Sequence, residues 1–248
     1  MSAGGTCVIF QPTYLPWAGY FDLIDSADQF VLLDNVQFEK QSWQQRNQIR
    51  AFNGLEWLTV PVRIKGRFGQ LIGEVELSNP EFFRVHLRAL ELHYRRARCF
   101  DQYIDSFRAL FEDAAGTGSL ALLNARLIGW LCAQLGIDTP IRLASELKPQ
   151  GRRSAMLIDL CGQLGADRYL STAGAWDYLR DDQQLFAEAG VALRLHEYRH
   201  PEYRQVYAPF LPYASVLDLL FNEGAAARQI LIGGRRPARA PHEMPAQT

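Results

Sequence analysis

The sequence lacks a long apolar run, a large net charge and any paired-cysteine motif. Its 248 residues carry a formal net charge of −1, which gives no electrostatic case for a nucleic-acid partner. A membrane-spanning helix needs roughly 18 or more consecutive apolar residues. No such stretch is present, so we expect no membrane span. The opening residues also lack the charged and apolar regions of a secretory signal, and we therefore expect a cytoplasmic protein.

The four cysteines are scattered and form no C-x-x-C pair. Cys132 and Cys161 lie among apolar residues of predicted helices, which is typical of reduced core thiols. Cys7 is a conceivable nucleophile for thioester exchange, but it lies in an apolar strand with no histidine close in sequence. We interpret it as a buried, unreactive thiol, and the sequence indicates no metal site.

Apolar strands and helices alternate along much of the chain. Thr6–Gln11 and Gln29–Asp34 are short apolar runs, and Trp17–Ala27 between them has its large apolar residues at helical spacing. A strand, a helix and a strand within about 30 residues form the βαβ unit of a parallel sheet. Because similar alternation resumes after residue 140, the sequence predicts an α/β fold with a parallel or mixed sheet.

The middle of the chain differs from both ends. Arg46–Arg50 and Trp57–Val62 are predicted strands around an Asn53-Gly54 turn, and Leu71–Leu77 is predicted as a further strand. Three helices then follow, ending near residue 135. We accordingly predict an N-terminal α/β part, a helical subdomain, a C-terminal α/β part that completes the core, and a disordered tail. Their bounds are 1–79, 80–139, 140–232 and 233–248.

The segment QPTYLPWAGYF, from Gln11 to Phe21, joins the first predicted strand to the first predicted helix. Two prolines and a glycine restrict its backbone, and loops after parallel strands are where open α/β sheets bind ligands. The side chains of this segment that we predict to contact substrate are Gln11, Tyr14, Trp17 and Tyr20. A rigid turn held by aromatic packing would account for the same residues.

A second polar segment follows the second predicted strand, and its donors, acceptors and large ring suit a sugar or nucleotide site. Trp43 can stack on a ring, while Lys40 and Arg46 can contact phosphate. The candidates in this segment are Asp34, Gln37, Lys40, Trp43, Arg46 and Asn47. Arg152 and Arg153, in a loop that leads into a predicted helix, are further candidates for phosphate contacts.

These segments resemble the WbqC-like family. QPTYLPWAGYF, FVLLDNVQFEKQSWQQRNQIR and WLTVPV are followed in the same order by LGADRYLSTAGAWDYL and HPEYRQVYAPFLPYASVLDLLFNEG. The resemblance covers about residues 6–232. Members of the WbqC-like family occur in O-antigen-type polysaccharide and natural-product biosynthesis. It implies a transferase that places an acyl or aminoacyl group on an amine, such as the amine of an amino sugar.

The leading hypothesis is therefore amide formation from an activated donor, such as a carrier-protein thioester on phosphopantetheine. Asp34 or His200 would deprotonate the amine, and Gln11 and Asn47 would stabilise the oxyanion. The partners would be small-molecule substrates and an acyl or peptidyl carrier protein, with no further cofactor required. The oligomeric state is left open.

Two other functions remain open. Gly19-Tyr20 at a helix start resembles the H-x-G-H turn of HIGH-superfamily nucleotidyltransferases, which implies an ATP- and Mg²⁺-dependent enzyme of the ligase type. Other residues occupy both histidine positions of that turn, however. A non-catalytic protein that binds a carrier or a glycan is the third hypothesis.

The segment His196–His200 contains two histidines with the i, i+4 spacing of helical metal ligands. The preceding residues predict a strand, on which that spacing does not bring the two rings together. His200 is instead predicted as a general base, with Glu197 as the carboxylate that orients it.

Overall fold

The computed structural model describes residues 4–244, which contain two sheets. The strands are β1 Gly5–Phe10, β2 Gln29–Leu32, β3 Arg46–Ala51, β4 Gly54–Thr59, β5 Ile141–Leu143, β6 Ala166–Thr172, β7 Ala192–Tyr198 and β8 Arg235–Arg239. The larger sheet has the order β5–β2–β1–β6–β7–β8, and β3 pairs with β4 in a separate hairpin. All neighbours in the larger sheet are parallel except β7 and β8. The predicted α/β class is confirmed.

The chain order of the strands reverses at β1. From β1 the chain moves outwards to β2 and β5, returns to β6 on the other side of β1, and continues outwards to β7. In such doubly wound sheets a crevice opens at the carboxyl ends of the strands where the order reverses. The strand order by itself does not establish a relationship to the HIGH superfamily.

Helices cover both faces of the larger sheet. They are α1 Ala18–Asp25, α2 Phe82–Tyr94, α3 Phe100–Gly116, α4 Leu120–Leu135, α5 Ala144–Leu147, α6 Ser154–Gln163, α7 Trp176–Leu179, α8 Gln183–Glu188, α9 Val216–Glu223 and α10 Ala227–Gly233. Within residues 4–244, no helix has both the length and the apolar composition needed to cross a membrane.

Strand β1 shows how one apolar run serves two cores. Side chains alternate along a strand, so Val8 packs with α1, α3, α4 and α9 on one face, whereas Cys7 and Ile9 pack with α6 and α8 on the other. The run Thr6–Ile9 is buried throughout. Continuous burial of this kind is expected for a strand in the middle of a parallel sheet.

The three helices of the predicted helical subdomain share the first of these cores. Phe107 and Phe111 of α3 and Leu127 of α4 lie in the same buried cluster as Phe21 of α1 and Phe221 of α9. Burying a phenylalanine or leucine side chain contributes about 1.5–3 kcal/mol. The helical block is therefore held to the sheet by the main hydrophobic core.

The predicted strand at Leu71–Leu77 is wrong. Ile72–Glu74 forms a short 3-10 turn, and the Glu74 carboxylate accepts a hydrogen bond of 2.8 Å from the backbone N–H of Leu71. Pairing with other segments is limited to isolated bridges at the two ends of this stretch. Local capping thus replaces sheet pairing. The preceding hairpin also turns earlier than predicted, because β4 already begins at Gly54.

The predicted disordered tail is also corrected, because β8 pairs with the edge strand β7. Arg235 donates hydrogen bonds to Asp22 at 2.8 Å and to Asp25 at 2.5 Å, and both carboxylates lie on α1. Charge pairing with two largely buried acids therefore orders a segment whose glycine, arginine and proline content predicted disorder. Residues 245–248 of that predicted tail lie outside the described residues.

Candidate active site

A cavity of about 340 Å³ opens at the carboxyl ends of β1, β6 and β7. Its position matches the crevice expected beside the reversal of strand order, and its volume lies within the range of small-molecule sites. The strand ends supply Phe10, Thr172 and Leu195–Tyr198 to its walls. Other lining side chains are Trp17, Tyr20, Leu23, Arg239 and Met244.

His196 and Asp22 form a hydrogen-bonded pair at this cavity. The Nε2 atom of His196 lies 2.7 Å from Oδ2 of Asp22, which is fully buried on α1. The other carboxylate oxygen accepts a 2.8 Å hydrogen bond from Arg235. With Nε2–H donating to the carboxylate, Nδ1 of the neutral ring is an acceptor. A carboxylate that holds an imidazole in one tautomer and orientation prepares it for proton transfer.

In the sequence analysis, His196 entered only through its metal-ligand spacing to His200, and Asp22 was not predicted as a site residue. Asp22 could have been predicted as a site residue from its position in α1. It is an acidic residue among the buried residues Tyr20, Phe21 and Leu23. A carboxylate in such a helix needs a partner, because burying an isolated charge is costly. The sequence does not show that the partner lies 174 residues away on β7.

Trp17 and Tyr20, two residues predicted to contact substrate, form an aromatic wall of the cavity. The Tyr20 hydroxyl donates a 3.1 Å hydrogen bond to the backbone carbonyl of Gln11. The Trp17 ring lies directly over Gly19, and a Cβ atom at that position would overlap the ring. Glycine is therefore required for this close approach.

His200 lies against the Trp17 ring. The two rings stack with centroids 5.9 Å apart and an interplanar angle of 16°. Nδ1–H of His200 donates to the carbonyl of Pro201 at 2.9 Å, and Nε2 is buried without a hydrogen-bond partner in the described part of the chain. Burial lowers the pKa of His200. Glu197 pairs with Arg239 and not with His200, and the catalytic role of His200 stays a prediction.

Gln11 and Asp34 lie just after β1 and β2. Asp34 is 2% exposed, and its carboxylate accepts hydrogen bonds from the Ser145 backbone N–H at 2.8 Å and hydroxyl at 2.6 Å. The side-chain oxygen of Gln11 accepts a 2.9 Å hydrogen bond from Gln44. Asp34 is separated from β6 by β1, so it lies on the other side of the reversal from the His196 pair. Their catalytic roles stay predictions.

The side chains of Tyr14 and Asn47 are buried in the core and form hydrogen bonds there. The Tyr14 side chain is fully buried, and its hydroxyl lies 2.7 Å from Nδ1 of His86. The amide nitrogen of Asn47 donates to the carbonyls of Tyr14 at 3.1 Å and Leu15 at 2.9 Å. Both side chains thus hold the loop after β1 in place.

The remaining predicted contacts lie on the surface, outside the cavity. Trp43 is 51% exposed, and its ring centroid lies 5.2 Å from that of Trp57. The Arg46 guanidinium lies 4.3 Å from the centroid of the Trp57 ring. We call these three side chains the tryptophan patch. The other predicted contacts are exposed, and they are Gln37, Lys40, Arg152 and Arg153.

Comparison with known proteins decides the family. The model of the WbqC-like protein family matches residues 11–230. The chain belongs to the WbqC-like protein family. A relative from Mycobacterium tuberculosis (strain ATCC 25618 / H37Rv), the uncharacterized protein Rv1507c, is 37% identical over 224 residues, which cover 90% of this chain and 96% of the relative. The search of solved structures found no match.

The region of this WbqC-like chain that matches the family contains both members of the histidine–aspartate pair. Asp22 and His196 lie between residues 11 and 230, whereas Arg235 follows that region on β8. The hydrogen-bonded pair therefore lies in the shared part of the chain, and the arginine that contacts the carboxylate lies outside it.

Proposed function

We propose that this WbqC-like protein is a transferase that moves an acyl or aminoacyl group from a thioester donor to an amine. The observation that carries the proposal is the 2.7 Å hydrogen bond between His196 and buried Asp22 beside the cavity. An amine needs a base to remove its proton as it attacks a carbonyl carbon, and an oriented imidazole is suited to that task. The resemblance of the motifs to a family linked with amino-sugar decoration supports the substrate class.

In the proposed reaction, a neutral amine attacks the thioester carbonyl carbon, and the new nitrogen–carbon bond forms as Nδ1 of His196 takes a proton. The tetrahedral intermediate then collapses, the carbon–sulfur bond breaks, and the protonated imidazole returns the proton to the departing sulfur. The products are an amide and a thiol, with His196 again neutral. Asp22 stabilises the transient imidazolium charge. Base catalysis of this kind contributes about 10²–10⁴-fold in rate.

The cavity walls suit a short acyl donor. Phe10, Leu23 and Leu195 present apolar surface, while Thr172 lies opposite His196 in the register between β6 and β7. The Thr172 hydroxyl is a candidate donor to the oxyanion of the tetrahedral intermediate. The donor in this proposal is a phosphopantetheine thioester, and a carrier protein is the proposed partner.

The test combines the purified full chain with pantetheine thioesters of acetyl and glycyl groups and with nucleotide-linked amino sugars. Amide formation followed by mass spectrometry, together with thiol release, would support the proposal. His196→Gln should lower the rate about 10²–10⁴-fold. His93→Gln is the matched control, because His93 lies outside the cavity and contacts Glu56. Absence of amide with every pair, or an unchanged rate in His196→Gln, would contradict the proposal.

A second candidate function is ATP-dependent activation of an acid. The observation that favours it is the position of the cavity at the reversal of strand order, where doubly wound sheets bind nucleotides. Incubation with ATP, Mg²⁺, candidate acids and amines would release pyrophosphate if this function were correct. No pyrophosphate in any combination would reject it.

A non-catalytic glycan-binding role is favoured by the tryptophan patch, since exposed tryptophan rings commonly form amphipathic binding surfaces. Trp43 and Trp57 are 51% and 42% exposed. This role would replace the transferase proposal if His196→Gln left the pathway product unchanged while Trp43→Ala and Trp57→Ala abolished it.

A further inference from the structure

A second recess, of about 450 Å³, lies between the hairpin turn, the segment after α2 and the loop after β7. Its walls include Phe52, Arg96, Arg98, Arg204 and Tyr207. Among residues 4–244, none lines both this recess and the cavity that contains His196. The two are therefore separate features, and a ligand could bind in the recess whether or not the proposed transferase function is correct.

The three arginines of the recess differ from nearby arginines in their ion pairing. Within residues 4–244, no ion pair involves Arg96, Arg98 or Arg204. By contrast, Arg108 and Arg126 on the neighbouring helices each pair with a carboxylate. Three positive charges around one recess repel one another, and a bound anion would relieve that repulsion.

One acidic side chain does approach the recess. The Glu223 carboxylate accepts a 3.1 Å hydrogen bond from the backbone N–H of Arg204, but it does not pair with the guanidinium group. Asp218 is buried nearby, and its carboxylate already accepts hydrogen bonds from Tyr203 at 2.6 Å and from Gln205 at 2.7 Å. The positive charge of the recess is thus left available to a ligand.

The recess is held by buried contacts on two sides. The fully buried Arg50 side chain donates to the carbonyls of Gly54 and Pro209 at 3.0 Å each, and so ties the hairpin to the loop after β7. The hydrogen bonds of Asp218 to Tyr203 and Gln205 fix the residues on either side of Arg204. Preorganisation of this kind lowers the entropic cost of binding a ligand.

Two aromatic rings lie beside the positive charges. The Phe52 and Tyr207 rings meet edge to face with centroids 5.8 Å apart, and Phe52 is 74% exposed. An exposed ring of this size beside guanidinium groups suits a ligand that joins an anion to an organic group. A simple inorganic anion would leave the exposed surface of the Phe52 ring uncovered.

We propose that Arg96, Arg98 and Arg204 form a binding site for a phosphate-bearing organic ligand. The planar guanidinium groups donate paired hydrogen bonds to phosphate oxygens, and Phe52 with Tyr207 contacts the group attached to the phosphate. A nucleotide and a phosphopantetheine arm share this chemistry.

Isothermal titration of the full chain with pyrophosphate, ADP and 4′-phosphopantetheine tests the site. We expect saturable binding of at least one organic phosphate, weakened by added salt. Arg98→Glu and Arg204→Glu should each raise its Kd at least about tenfold. Phe52→Ala should weaken binding of ADP or phosphopantetheine and leave pyrophosphate unaffected. The lower Kd of the two, for ADP or for 4′-phosphopantetheine, shows whether the site binds a nucleotide or a phosphopantetheine arm.

Arg142→Glu is the control, because Arg142 is exposed on β5, outside the recess, and undergoes the same change of charge. Arg98→Gln and Arg204→Gln replace the glutamate variants if circular dichroism shows that either of those is unfolded. Failure of both organic probes, ADP and 4′-phosphopantetheine, to bind would overturn the proposal. Equal weakening by Arg142→Glu and by the recess variants would also overturn it.

Discussion

The Nε2 atom of His196 lies 2.7 Å from Oδ2 of Asp22 and joins the end of β7 to the helix that follows β1. Arg235 contacts the other oxygen of the same carboxylate at 2.8 Å, so the carboxylate is shared by an imidazole and a guanidinium group. The contact depends on the order of the strands. Because β6 separates β1 from β7 in the sheet, the contact requires that α1, which follows β1, packs against β7.

Asp22→Asn should prevent His196 from acting as the base in the proposed amide formation. An asparagine amide can donate to Nε2, which would move the ring proton to Nδ1 and leave no acceptor for the amine proton. We expect amide formation to slow about 10²–10⁴-fold. Asp25→Asn is the control, since Asp25 also pairs with Arg235 but does not contact His196. Equal losses in the two variants would show that only the ion pairs with arginine matter.

Gly19→Ala should displace the Trp17 ring, because a Cβ atom at residue 19 would overlap it. Overpacking of this kind costs about 1–3 kcal/mol, and tryptophan fluorescence should change as the stack on His200 is lost. Gly129→Ala is the matched control, since Gly129 lies in α4 with open space around its Cα. That substitution should stabilise the protein by about 0.5–1 kcal/mol. Equal urea midpoints for the two variants would contradict the close approach at Gly19.

Asn47→Ala should lower the free energy of unfolding by about 2–4 kcal/mol, because the buried carbonyls of Tyr14 and Leu15 would lose their donor. Trp43→Ala, on the exposed tryptophan patch, should change it by less than about 1 kcal/mol. Urea denaturation measures both. A larger loss for Trp43→Ala than for Asn47→Ala would mean that the structural roles of these two residues are reversed.

The titration of Asp218 should lower the free energy of unfolding as the pH rises from about 4 to 7. Burial raises the pKa of this carboxyl from 3.8 to about 6 in the folded protein, although hydrogen bonds from Tyr203 and Gln205 oppose the shift. A raised folded-state pKa contributes stability that is present below pH 3.8 and is lost as the pH passes 6. The contribution is about 3 kcal/mol at most.

Asp218→Asn removes this titration. The unfolding free energy of the variant, relative to the parent protein, should therefore rise by up to about 3 kcal/mol between pH 4 and pH 7. Urea denaturation at the two pH values measures the change. A difference that stays constant across this range would show that Asp218 is already ionised in the folded protein at pH 4.

Some elements could be predicted because their signals are local. The apolar runs at β1 and β2 and the helical spacing of α1 between them were sufficient for the βαβ unit. The 3-10 turn at Ile72–Glu74 could not be predicted. Ile72, Val75 and Leu77 are buried as they would be in a strand, whereas the backbone of the turn is capped by the Glu74 side chain. The apolar pattern of a sequence indicates which side chains are buried. In this segment, burial of the side chains did not mean that the backbone pairs in a sheet.

The predicted site divides in the same way. Trp17 and Tyr20 do line the cavity, because the loop after a parallel strand lies at the carboxyl edge of the sheet wherever that strand pairs. Tyr14 and Asn47 belong to the same polar and aromatic segments, yet both are buried. Sequence distinguishes the loop from the strand, but it does not tell which side of the loop faces the cavity.

The sequence by itself determined the family and the α/β class, because motifs and apolar periodicity are properties of short segments. Only the tertiary structure decided that Asp22, His196 and Arg235 meet, and that β8 is ordered at all. These three residues come from α1, β7 and β8. Their contact follows from the order in which distant strands pair, and no local pattern encodes that order.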